Sequence, residues 1–228
     1  MSLTRQYNKL IKCLLGVRNN TSTNLCHIES GIRPITHVLS VRRKRFLESK
    51  LASPDMEEPF LIVLALCRNA NTPGFKFIQN AMQYNCDVNP LVNIINLVSN
   101  KPEEATKYNT YKTVLHPSLN VHKIYSSDNY IPDFIRKEFT RLRLMSHDLK
   151  IETGRWSRVP RDLRRCICNG RSVQTEYHVL IECILTRELR RKFDMYNIQN
   201  LNDLFMESNN VNTVCRYVYE VLNIYRNL

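Results

Sequence analysis

Cys166, Cys168, His178 and Cys183 bring three soft thiols and one imidazole together in the spacing C-x-C-x9-H-x4-C. Ligands in closely spaced pairs need little chain ordering to converge, and Asn169-Gly170 supplies a turn directly after the first pair. Three cysteines and a histidine form a donor set of structural Zn²⁺ sites, which are closed tetrahedra with no position left for water. The pattern therefore predicts a structural Zn²⁺ on these four residues, with His178 and Cys183 near a helix start and Glu176 or the main chain orienting the imidazole. Binding deprotonates the thiols and leaves a centre of net charge about −1, which Arg164, Arg165 and Arg171 can offset. The remaining cysteines read differently. Cys13, Cys67 and Cys215 lie on apolar helix faces as core residues, Cys26 and adjacent His27 have no second ligand pair nearby, and Cys86 stands at a helix end.

The quartet sits in the most basic part of the chain. From Arg136 to Lys192, 15 Lys and Arg stand against 7 Asp and Glu, a local net charge of +8 out of +12 for the whole. Arg136, Arg141 and Arg143 fall on a predicted helix. Lys150, Arg155, Arg158, Arg161, Arg164, Arg165 and Arg171 recur through loop-prone sequence. Neutralising phosphates with counterion release needs such a distribution, and guanidinium groups grip phosphate with two parallel bonds. The expected partner is therefore RNA or DNA held through its backbone, with no small-molecule substrate. Trp156, the single tryptophan, stands between Arg155 and Arg158, where it can stack on a base or bury against the metal module. The run Arg42 to Arg45 reads as a solvated helix face. His147, beside Asp148 and near Glu152, has no nucleophile or metal-binding carboxylates around it and reads as a structural histidine.

The elements that must carry these residues are mainly α. Gly is scarce, at 5 residues, and apolar positions recur at three- and four-residue intervals. Leu10, Leu14 and Val17 predict one face of a first helix ending near Gly16. A short second helix runs from Thr21-Ser22-Thr23 to Gly31, and a third from Pro34 through Val38, Val41, Phe46 and Leu51. Residues 57–71, 74–85 and 90–99 predict further helices, and Pro102-Glu103-Glu104 another helix start. Residues 118–130 read as a loop. A basic helix follows from Pro132 to about Ser146, with Phe134, Phe139, Leu142 and Met145 facing a core, then an irregular stretch holding Gly154 and Pro160. Last come helices over about 184–194 and 211–226. This gives a helical domain over 1–120, the basic helix and zinc module over 131–195, and C-terminal helices over 196–228.

The 43% hydrophobic content supports a buried core. The longest apolar run, Phe60 to Cys67, is far too short for a bilayer, and no secretory signal follows Met1, so no membrane partner is expected. Reduced thiols fit a nuclear or cytoplasmic, non-secreted protein.

The stretch Phe139-Thr-Arg-Leu-Arg-Leu-Met-Ser-His-Asp-Leu-Lys-Ile-Glu-Thr-Gly-Arg-Trp156, then Pro160-Arg161, then C-x-C…Glu-Tyr-His-x4-Cys, resembles the C-terminal region of non-LTR, jockey-like retrotransposon reverse transcriptases. Lys9 to Arg18, with Thr21 or Thr23 and Glu29-Ser-Gly-Ile-Arg-Pro34, is similar to the segment downstream of the polymerase core in the same family. The likeness covers about 1–50 and 130–193. It implies a helical region joined to a zinc knuckle that grips template RNA or target DNA in target-primed reverse transcription. Zinc falls on Cys166, Cys168, His178 and Cys183, and nucleic-acid contact or module packing on Arg141, Arg143, His147, Arg155 and Trp156. The polymerase's paired aspartates are missing, since no Asp-Asp occurs, and so is any endonuclease constellation. The expectation is a non-catalytic C-terminal piece. The alternatives are a zinc-stapled helical scaffold for protein partners, or a decayed element remnant with no retained role.

Overall fold

The computed structural model describes residues 2–52, 62, 73–102, 106–116, 118, 119, 121–125, 130–205 and 210–228. The expected helix over 57–71, Cys67 and the helix start at Glu103-Glu104 lie outside the described residues. Among the described residues the fold is mainly helical, with no strand and one isolated β-bridge, Arg165 to Val173. No helix is long and apolar enough to cross a membrane.

Helix α1 (Leu3–Leu15) starts on Ser2, whose hydroxyl accepts the Arg5 N–H, and stops at Gly16. Gly16 takes the left-handed conformation at φ 70°, which closes the last turn and lets the Lys137 side chain pass where a Cβ would stand. Next come α2 (Thr23–Ser30), α3 (Ile35–Leu51), α4 (Pro73–Met82), α5 (Pro90–Ser99) and α6 (Thr106–Thr110), the last continued by a π-turn over Tyr111–Leu115. The second half contains α7 (Asp133–Arg143), α8 (Lys150–Trp156), α9 (Arg187–Lys192), α10 (Leu201–Phe205) and α11 (Val211–Arg226).

One apolar core joins the two halves. Ile11 and Leu15 of α1, Leu25 and Ile28 of α2, Phe139 and Leu142 of α7, and Val218 and Val221 of α11 all bury in it. A smaller cluster, Leu47, Ile78 and Ala81, ties α3 to α4. Two expected faces are corrected. Leu10 and Leu14 are exposed while Ile11 and Leu15 are buried, because α1 carries aliphatic side chains on two adjoining faces and the core takes the one shared with Ile11. Phe46 is likewise exposed, and Leu47 packs instead. Cys13 shares the exposed side of α1 and is not a core residue. Phe134 is exposed too, although its ring meets Tyr219 edge-on at 5.1 Å.

The stretch expected to be irregular contains α8, with Gly154 inside it. A Cβ there would fall 2.7 Å from the Arg164 side chain, so the glycine makes room for an arginine lying against the helix. Arg164 donates from Nε to the Val159 carbonyl at 2.9 Å and from Nη1 to the Ile151 carbonyl at 2.8 Å.

Candidate metal centre

Two local turns build the site. The Cys166 N–H donates to the Ser172 carbonyl at 2.7 Å and the Gly170 N–H to the Cys166 carbonyl at 3.0 Å. Inside this loop the Asn169 side-chain oxygen accepts from the N–H groups of Arg171 and Ser172, and Gly170 is left-handed at φ 63°. The loop thereby turns both thiols of the first pair inward. The second pair stands on a π-helical turn, His178–Glu182, begun by the Thr175 hydroxyl accepting the His178 N–H at 3.0 Å. Its wide closure, Cys183 N–H to the His178 carbonyl at 2.7 Å, carries Cys183 back beside the imidazole.

The four ligand atoms all lie within 4.8 Å of one another and could hold a metal ion. Cys166 Sγ is 3.8 Å from Cys183 Sγ, and Cys168 Sγ is 3.3 Å from His178 Nε2. Cys166, His178 and Cys183 are buried, and Cys168 is half-buried. Although burial works against ionisation of Cys166, the Cys168 backbone N–H and the Tyr225 hydroxyl draw its thiol down to about 7. Burial and the neighbouring sulfurs of Cys166 and Cys183 push Cys168 up to about 12. Ligation by a metal requires the thiolate form, and a bound cation supplies the charge that favours it.

The imidazole is met by Glu182, where Glu176 or the main chain is the expectation. Glu182 Oε2 lies 3.2 Å from His178 Nδ1, one helical turn along. Glu176 instead meets buried His147, Oε1 to Nε2 at 3.0 Å, which leaves His147 a satisfied structural residue. Two further residues complete the surround. Tyr225, near the end of α11, donates its hydroxyl to Cys183 Sγ at 2.8 Å and lies 3.6 Å from Cys166 Sγ. Arg190 donates to the Cys183 carbonyl at 2.9 Å and to the Thr186 hydroxyl at 2.8 Å. Tyr225 carries no local spacing signal, being 42 residues from Cys183, whereas Arg190 is only seven away.

The basic residues divide into two groups. Arg158, Arg161, Arg165 and Arg171 are exposed, as is Lys150, whose ammonium donates to the Arg165 carbonyl at 3.0 Å. Others are engaged by partners within the chain. Arg136 pairs with Asp133 and Arg141 with Glu138, while Arg164 is the strut against α8. Arg155 meets buried Glu152 at 2.8 Å, and Lys107 reaches the same carboxylate at 2.7 Å. Arg143 corrects the expectation of a phosphate contact, because it is fully buried. Its guanidinium binds Glu29 at 2.7 and 3.2 Å and the Leu115 carbonyl at 2.7 Å. Trp156 is partly exposed, with Arg18 stacked 3.7 Å from its ring centre, so it is not buried against the metal cluster.

The chain matches no family model, no curated protein and no solved structure.

Proposed function

We propose that this chain is a zinc-stabilised, non-catalytic module that grips the backbone of RNA or DNA. The observation that carries the reading is a Cys3His quartet that could hold a metal ion, in a segment whose Lys150, Arg158, Arg161, Arg165 and Arg171 are exposed. Zinc is the metal the donors favour, because thiolate and imidazole suit it and three sulfurs disfavour the hard cations. A tetrahedral zinc with bonds of about 2.3 Å to sulfur separates two sulfurs by about 3.8 Å. Cys166 and Cys183 stand at that separation. With four protein ligands the ion is structural: it would fix the 166–172 loop against the 178–183 turn and hold the surrounding arginines at set positions. The resemblance to the C-terminal region of non-LTR reverse transcriptases supports the same role, with a nuclear or cytoplasmic site of action.

The test is a fluorescence-anisotropy titration of the zinc-loaded chain with RNA and DNA at rising salt. Binding that weakens steeply with salt is expected. Absent binding at low salt, or binding flat in salt, overturns the proposal. A scaffold role towards protein partners is the second reading, favoured by Leu3, Leu10 and Leu14 left exposed along α1. It predicts a stable protein complex with a zinc-loaded chain indifferent to nucleic acid.

A further inference from the structure

Between the metal module and the helical body lies a cleft of about 670 Å³, within the usual size range of small-ligand sites. Met145, Ile151 and Leu201 are buried residues that give it an apolar floor. Tyr177, the residue before the ligand His178, lines one wall with its ring partly exposed. Exposed Arg161 supplies a cationic group whose side chain has no ion-pair partner among the described residues, while Arg155 beside it is paired with Glu152. Glu176 also lines the cleft, its side chain only 13% exposed and one carboxylate oxygen held by His147.

We propose that this cleft takes a single unstacked nucleotide of a strand bound by the module. The inference rests on the nucleic-acid reading above and adds a ligand site to it. A flat ring fits an apolar floor beside a tyrosine face, because every base offers a π-surface for stacking. The phosphate of the same unit meets Arg161 at the exposed side, where guanidinium can bind it through two oxygens. Glu176, less exposed than Arg161, repels phosphate, so the base edge is placed against it. Its carboxylate accepts from an exocyclic amino group, which selects cytosine, adenine or guanine over uracil. No bond is made or broken; the site only holds.

The test uses the full zinc-loaded chain with CMP and UMP, followed by calorimetry and by NMR shifts, and the variants Arg161→Gln and Tyr177→Ala. CMP should bind saturably, and UMP, which turns a carbonyl oxygen towards Glu176, about tenfold more weakly. Each variant should weaken CMP by about tenfold, the loss of one charge-assisted contact or one stacking face. Zinc content should be unchanged in both, which separates a ligand contact from a folding defect. The proposal is overturned if CMP fails to bind while the chain still binds a single strand, or if both variants bind CMP as the parent does. If CMP binds with the expected losses but no RNA or DNA strand is held, the cleft stands and the nucleic-acid grip falls.

Discussion

Arg143 and Arg141 stand two positions apart on α7, yet one is part of the core and the other lies at its edge. Arg143 and Glu29 are each fully buried, joined by two bonds, with the Tyr111 hydroxyl donating to Glu29 at 2.8 Å. Burial raises the Glu29 carboxyl, but the Arg143 guanidinium more than offsets this and brings it down to about 2. Breaking such a pair from one side leaves a lone buried charge. Glu29→Leu or Arg143→Met should each cost about 3–5 kcal/mol in urea unfolding, and the double Glu29→Leu, Arg143→Met less than the two together. Additive losses would show that the charges are not coupled. The same network sets an acid limit. His122 is held down to about 3, by burial first and by Arg143 next, with Glu29 pulling the other way and His116 and Lys123 adding to the depression. The unfolded chain therefore takes up a proton near 6.5 that the folded one refuses, and stability falls as pH drops from 6.5 towards 3. Glu29 adds a loss between 4.5 and 2, since its stabilising charge disappears only as the folded carboxyl protonates. Melting midpoints at matched zinc content should fall less for His122→Gln than for the parent across the first window. Parallel curves would remove His122 from the account.

At the scale of elements, the candidate metal centre is fastened to the body by α11. Tyr225 bonds Cys183, while the neighbouring Tyr217 hydroxyl donates to the Leu180 carbonyl on the π-turn between the two second-pair ligands. On the far side Arg226 pairs with Glu138 of α7 at 2.7 Å. Tyr225→Phe keeps the ring and removes only the O–H···S bond, so it should lower zinc affinity by about tenfold with little change in fold, as measured by competition with a chromophoric chelator. An unchanged affinity would make the contact incidental. This arrangement also shows what the sequence could disclose. The quartet was readable because each pair is local, and Gly16, Gly31, Pro34 and Asn89-Pro90 marked helix ends where the chain chemistry itself acts. Tyr225 and Glu29 were not, because their partners lie 42 and 114 residues away. Helix α8 was missed for a related reason: Gly154 reads locally as a breaker, and its cause is the Arg164 side chain packed over it.

At the scale of the whole molecule, net charge is a poor guide to grip, since internal pairing consumes several of the arginines that make the chain basic. Those left at the surface include Arg158, which has a second peculiarity. It closes α8 in the left-handed conformation at φ 55°, with the Val159 N–H reaching back to the Gly154 carbonyl at 2.8 Å. That position favours glycine, and a side chain there costs about 1 kcal/mol. Strain of this kind is commonly retained where a side chain has work to do, and here it sets a guanidinium on the exposed end of α8. Two opposed effects follow for Arg158→Gly. Stability in urea should rise by about 0.5–1 kcal/mol, and the slope of log affinity against log salt should fall by about one unit, as one phosphate contact is lost. Arg158→Gln should share the weaker slope without the added stability, and Arg143→Met, which loses only a buried charge, should keep the parent slope wherever it remains folded. A variant at position 158 that is more stable yet binds with the parent's salt dependence would show that the strained arginine does not touch nucleic acid.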